Sequence, residues 1–73
     1  MIEFRVVHLH EDGEWWANSV PLDEDTAITH AADVAFGFHP KVPEAAGEVV
    51  DVRLQKRSVV DGGPGKWRPY GDD

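Results

Sequence analysis

Apolar and polar positions alternate through the first 22 residues, and this pattern predicts a β-hairpin. Residues 2–10 and 14–22 form its two strands, and Glu11-Asp12-Gly13 has the composition of a tight turn. A two-residue loop would mix polar and apolar side chains on each face and would place Glu11 opposite Glu14. A three-residue loop instead pairs His10 with Glu14 and separates the apolar positions cleanly, since a one-residue slip moves every side chain to the other face. We therefore predict the three-residue loop, with Gly13 at positive φ.

This register gives the hairpin apolar side chains on both faces. It places Phe4 opposite Val20 and Ile2 opposite Leu22. The first face is predicted to hold Ile2, Phe4, Val6, His8, Trp16, Val20 and Leu22. The second face is predicted to hold Val7, Leu9, Trp15 and Ala17. A small domain has one core, so the first face is expected to be buried, and the second is a candidate contact surface.

Residues 24–36 show the periodicity of an amphipathic helix. Asp23 is the expected N-cap, Gly37 lies where a left-handed C-terminal residue is expected, and Pro40 prevents continuation. One broad apolar side of the helix holds Ala27, Ile28, Ala31, Ala32, Val34 and Ala35. Of these, Ile28, Ala31, Ala32 and Ala35 are predicted to pack against the hairpin face that holds Phe4, Val6 and Trp16. The predicted solvent-facing residues are Thr26, Thr29, His30 and Asp33.

Residues 48–57 alternate again and predict a third strand, which Val59 and Val60 can extend. Residues 61–65 are a glycine-rich turn, and residues 66–70 either return as a short edge strand or lie loose. The sequence thus predicts one α+β domain over residues 1–73: an N-terminal β-hairpin and one helix packed on one face of a three- to four-stranded sheet. Its element order is ββαβ, with a fourth short strand as an option, and residues 61–73 are expected to form a turn and a partly flexible tail.

The opening of the chain, the order of its elements and its composition each resemble known proteins. The opening Met1-Ile2-Glu3-Phe4-Arg5-Val6, its return through Ser19 to Leu22 and the helix entry at residues 23–28 resemble a ubiquitin-like β-grasp domain. Conjugation is not expected, because ten residues follow Gly62-Gly63. The hairpin–helix–strand order is also similar to HicB-type antitoxin domains. The alanine- and aspartate-rich style is similar to small bacteriophage proteins of high-GC hosts. These resemblances imply a regulator or an inhibitor.

Charge is distributed unevenly along a chain whose net charge is −7. Residues 1–33 carry eight acids against one Arg, whereas residues 34–73 carry six acids and six bases. The acidic total argues against nucleic-acid binding, which depends on Lys and Arg contacts to phosphates. Without any cysteine, disulfides and thiolate metal sites are excluded, and a cytoplasmic location is expected. We expect neither a signal peptide nor a membrane span.

Candidate chemistry is sparse. The spacing His8-x-His10 occurs in metal sites, but a third and a fourth ligand are not evident. The ordinary interpretation is one histidine stacked on Trp16 and the other in solvent. The acids at positions 23–25 are better explained by helix capping, and no nucleophile motif is present. We therefore expect no enzymatic activity, no metal and no cofactor.

Two hypotheses of function remain. The first is a non-enzymatic protein-binding module, for example a phage or accessory inhibitor, whose contact surface is Val7, Leu9, Trp15 and Ala17; self-association is its simplest form. In a variant of it, the acidic half mimics nucleic acid. The alternative is a nucleic-acid-binding or antitoxin-like regulator, with contacts from Arg53, Lys56, Arg57, Lys66, Trp67 and Arg68. Trp67 and Tyr70 could instead form a structural lid over the sheet edge.

Overall fold

A computed structural model describes residues 1–18, 20–37 and 42–71. Its elements are β1 (Ile2–His10), β2 (Trp15–Ala17), α1 (Glu24–Ala35), a 3-10 turn (Glu44–Ala46), β3 (Val49–Val60), β4 (Gly63–Pro64) and β5 (Arg68–Pro69). The strands form one antiparallel sheet in the order β2-β1-β3-β4, and β5 also pairs with β3. The α+β prediction and its ββαβ order are confirmed. Among the described residues no helix is long and apolar enough to span a membrane.

The hairpin loop has the predicted register. Trp16 lies opposite His8, and the His10 amide donates to the Glu14 carbonyl at 3.1 Å. Gly13 has a φ of 87°, a conformation that glycine adopts at little cost because it lacks a Cβ. Its amide donates to the His10 carbonyl, and the Asp12 carboxylate accepts from the Glu14 amide. The three-residue loop is therefore confirmed.

The predicted register is wrong beyond Ala17. Phe4 pairs with Leu22, not with Val20, and Val20 is 66% exposed. The cause is Asn18, whose side-chain oxygen accepts from the Val6 amide at 2.8 Å and whose amide nitrogen donates to the Val20 carbonyl. A side chain thus replaces the backbone partner of Val6 and lets the chain bulge by two residues before pairing resumes.

The helix begins at Glu24 as predicted and ends at Ala35, one residue before the predicted end, with Phe36 as its C-cap. It presents a narrower stripe to the sheet than the predicted one. The Asp23 carboxylate accepts from the Thr26 amide at 2.7 Å, and Gly37 has a φ of 99°. Pro40 lies outside the described residues. The fully buried helix residues are Ala27 and Val34, whereas Ile28 is 47% exposed.

Two further predictions about the helix faces are corrected. Of the expected sheet-facing residues, Ala32 and Ala35 are exposed and Ala31 is half-buried; His30, expected in solvent, is half-buried as well. The rotation has a simple reason. The alanines fit either side of a broad apolar arc, and the bulky branched Val34, with Ala27, occupies the position nearest the sheet.

The core lies between α1 and the strands β1 and β3. Its buried members on β1 are Phe4, Val6, His8 and His10, and Ala46 of the 3-10 turn closes one end. The third strand is longer than residues 48–57, and Val59 and Val60 extend it as expected. Residues 68–69 form the short returning strand. Ile2, predicted to be in the core, is exposed because it is the first residue of β1 and lies at the end of the sheet.

Candidate functional site: the outer face of the sheet

The face of the sheet opposite α1, which we call the outer face, carries the predicted apolar set and part of the predicted basic set. In the pairing of β1 with β3, Val7 lies opposite Arg53 and Arg5 lies opposite Gln55, so these four side chains point to the same side of the sheet. The outer-face positions on the three main strands are Glu3, Arg5, Val7, Leu9, Trp15, Ala17, Asp51, Arg53, Gln55 and Arg57. In the described part of the chain no helix lies over them.

The predicted apolar set lies on this face with very uneven exposure. Trp15 is 46% exposed and Ala17 is exposed, but Leu9 is half-buried and Val7 is only 9% exposed. Val7 lines one depression with Arg5, Trp15, Arg53 and Gln55, so long side chains surround it on this face. The exposed part of the predicted apolar set is therefore mainly the Trp15 indole, with charged side chains around it. Its apolar area is smaller than the sequence predicts.

The predicted basic set is divided between the two faces. Arg53, Arg57 and Trp67 contribute to the outer face. Lys56 lies opposite Phe4 and Arg68 lies opposite Lys56, so alternation directs both to the helix side, and Lys66 is exposed beyond the strands.

The two C-terminal aromatic rings are divided in the same way. The Tyr70 ring lies 5.8 Å from that of Phe4, and its hydroxyl donates to Glu24 at 2.6 Å. This hydrogen bond raises the pKa of Tyr70. Tyr70 therefore belongs to the helix side, whereas Trp67 belongs to the outer face.

Guanidinium groups stack on both outer-face indoles. The Arg5 and Arg57 Cζ atoms lie 4.5 and 4.3 Å from the centre of the Trp67 ring, and the Arg53 Cζ lies 5.2 Å from that of Trp15. Such cation–π contacts fix the planes of flexible side chains in addition to their electrostatic stabilisation. Arg5 was not among the predicted contact residues, although its alternation with Val7 and Leu9 along β1 was sufficient to place it on this face.

The three guanidinium groups differ in their charge partners. Arg57 forms an ion pair with Glu3 at 2.8 Å, and Arg53 forms one with Asp51 at 3.0 Å. Arg5 has only a neutral acceptor, since its Nε donates to the Gln55 side-chain oxygen at 2.7 Å. Within residues 1–18, 20–37 and 42–71 it has no carboxylate at salt-bridge distance. Desolvation by burial, followed by the charge of Arg57, lowers the pKa of Arg5.

A shallow depression of about 330 Å³ lies between these groups. Its lining is formed by Arg5, Val7, Trp15, Arg53 and Gln55. The depression therefore combines an aliphatic side chain, an indole ring, two guanidinium groups and an amide. Geometry of this kind suits binding and offers no nucleophile.

The histidine pair lies on the opposite, helix-covered side of the sheet. His8 and His10 are 5% and 1% exposed, so the expectation that one of them lies in solvent is wrong. His10 Nδ1 donates to the Gly47 carbonyl at 2.9 Å, and with neutral rings its Nε2 then accepts from His8 Nδ1 at 2.7 Å. The described residues contain no group of three or more His, Cys, Asp or Glu side chains arranged to hold a metal ion.

Comparison with known proteins adds no assignment. The chain matches no protein-family model, no curated protein and no solved structure.

Proposed function

We propose that this protein is a non-enzymatic binding module that captures a protein partner on the outer face of its sheet. The observation that carries the proposal is the half-exposed Trp15 beside the depression that Arg5 and Arg53 border. Tryptophan and arginine are the residues that most often dominate binding energy at protein interfaces. The cysteine-free composition supports a cytoplasmic setting for this activity.

The stacked arginines also support a second candidate, single-stranded nucleic acid, because indoles and guanidinium groups are platforms for bases. The distribution of charge favours the protein partner over this candidate. Glu3 and Asp51 neutralise two of the three outer-face guanidinium groups, and the whole chain carries a net charge of −7. Affinity for a polyanion grows with the number of phosphates that are neutralised, and the described part of this face has one positive charge without a carboxylate partner.

Site-specific photo-crosslinking tests the protein-binding proposal. A photoreactive amino acid replaces Ala17, which is exposed on the outer face, and in a matched control it replaces Thr29, which is exposed on the helix. After irradiation in source cells, we expect an adduct of defined mass from position 17 and none from position 29. Self-association would give an adduct of twice the chain mass.

The added substitution Trp15→Ser should abolish the position-17 adduct without unfolding the domain. An adduct that survives Trp15→Ser, or that forms equally from position 29, would contradict the proposal. Retention of the unmodified protein on heparin at low salt, with loss of retention in Arg5→Gln, would favour the nucleic-acid candidate instead.

A further inference from the structure

We infer that the depression beside Arg5 is a subsite for a single carboxylate, and that its occupant is an extended protein segment with an aspartate or glutamate next to an aromatic residue. The inference rests on the proposed function, since it names the chemistry of the partner that the outer face binds.

The orientation of Arg5 is the first argument. Its Nε is occupied by the Gln55 oxygen, and its plane is held against the Trp67 ring. The two terminal nitrogens have no hydrogen-bond acceptor among the described residues. A guanidinium group held in this way presents its donors in the fork that matches a carboxylate. Because Arg5 is half-buried, the interaction would form at a lower effective dielectric constant than on an open surface.

The charge count is the second argument. Among the described residues, the outer face holds Arg5, Arg53 and Arg57 against Glu3 and Asp51, which leaves one positive charge without a counter-charge. One carboxylate neutralises that charge, whereas a chain of phosphates would bring several further negative charges toward an acidic protein. Lowering of the Arg5 pKa by burial and by Arg57 is consistent with a cation that lacks its counter-charge.

The third argument is the apolar part of the depression. Val7 forms its floor and Trp15 one wall, so a flat apolar side chain next to the bound carboxylate can stack on the indole. The volume of about 330 Å³ suits one or two side chains. Because the depression is shallow and lies on an uncovered sheet face, an extended segment can lie across it, which favours a side-chain carboxylate over a buried chain terminus.

NMR titration of the uniformly labelled protein tests the inference with defined probes. The probes are the capped peptide acetyl-Gly-Asp-Phe-Gly-amide, the same peptide with Asn for Asp, and the same peptide with Ala for Phe. We expect the Asp-Phe peptide to shift the Arg5 Nε–H and Trp15 indole N–H signals with a Kd of about 5 mM or below. The Asn peptide should bind at least about tenfold more weakly, because it loses a charge-assisted hydrogen bond. The Ala peptide should bind more weakly than the Asp-Phe peptide but should still shift the Arg5 signal.

Two variants and a matched control assign the effect to Arg5. Arg5→Gln should remove the discrimination between the Asp and Asn peptides, and Arg5→Lys should retain only part of it, because an ammonium group has the charge without the planar fork. Arg68→Gln makes the same change of net charge at an exposed residue on the helix side, and it should leave binding unchanged. Backbone spectra of each variant establish that it is folded.

Each other outcome overturns the inference. Equal binding of the Asp and Asn peptides, or no shift at Arg5 with any peptide, excludes the carboxylate subsite. Stronger shifts of the same signals by an oligothymidylate of about eight nucleotides would assign the face to nucleic acid. If the peptides fail while the Trp15-dependent crosslink from position 17 persists, the outer face binds a protein but the subsite is wrong. If that crosslink is itself absent, the proposed function fails.

Discussion

Polar side chains on the two faces of the sheet have different kinds of partner. On the helix side, the imidazoles of His8 and His10 hydrogen-bond to each other and to the Gly47 carbonyl. On the outer face, guanidinium groups stack on Trp15 and Trp67, and Arg5 retains hydrogen-bond donors. A buried polar group needs an internal partner, whereas a half-exposed one can retain donors for a ligand. The difference is what we expect if the helix side stabilises the domain and the outer face, as proposed, binds a partner.

The largest expected effect comes from placing the same charge on adjacent residues of opposite faces. Val6 is fully buried under α1, so Val6→Asp should destabilise the domain by more than about 3 kcal/mol. Val7→Asp should cost no more than about half as much, because the new carboxylate would lie beside Arg5 and Arg53. Urea unfolding of both variants measures the difference; equal losses of stability would contradict the contrast between the faces.

The adjacent tryptophans provide the second test. Trp16→Ser should destabilise by about 3 kcal/mol, because a largely buried ring is lost, and Trp15→Ser by about 1 kcal/mol or less. Trp16→Phe should cost less than Trp16→Ser, since the Trp16 Nε1 is buried without a hydrogen-bond partner in the described structure. Thermal unfolding of the three variants provides the ranking. If Trp15→Ser unfolds the domain while Trp16→Ser is tolerated, the assignment of the two faces is reversed.

A smaller effect is expected from His10→Leu. The substitution keeps an apolar volume but leaves the Gly47 carbonyl and His8 Nδ1 without their present partner, at a cost of about 2 kcal/mol. His30→Leu on the helix, also a loss of one imidazole, is the matched control and should cost less. Chemical denaturation of both variants makes the comparison, and similar stabilities would show that the hydrogen bonds of His10 contribute little.

The smallest effect concerns the helix N-terminus, which belongs to neither face. Hydrogen bonds from the side chain and then from the backbone amide of Thr26 lower the pKa of Asp23 in the folded state. The ionised Asp23 cap therefore contributes fully to folding stability above the ordinary carboxyl pKa of about 3.9. This contribution is lost as the pH falls through the lower pKa of the folded state. Asp23→Asn should keep a capping oxygen and remove this acid dependence. Helical ellipticity between about pH 2 and pH 6 measures it, and unchanged acid sensitivity would assign the dependence to other carboxyls.

Local patterns were sufficient to predict much of the fold. Alternation located β1 and β3, and Gly13 and Asp23 marked the loop and the cap because each has a conformational role that few residues fill. The shift after Ala17 was not predictable in the same way, because it depends on the Asn18 side chain meeting the Val6 amide across the sheet. The helix stripe was misjudged because alanines do not distinguish the buried side of a broad apolar arc.

The candidate site was only partly evident for a related reason. Trp15 was correctly placed on the outer face, since alternation along a strand is a local property. The cation–π contacts of Arg5 with Trp67 and of Arg53 with Trp15 were not predictable in this way. They depend on the pairing of strands that are far apart in the chain. The partner of His10, the Gly47 carbonyl, is likewise 37 residues away.

The Asn18 side chain also limits how the molecule can aggregate. A strand at the margin of a sheet exposes backbone groups that can recruit another chain and start a fibril. Here β2 has only three residues, and beyond it Asn18 occupies the Val6 amide that a foreign strand would use. Pro21 follows closely and has no amide proton to donate. This margin therefore resists growth by strand addition, so the protein can expose an aromatic surface in a crowded cell without recruiting further copies through its β2 edge.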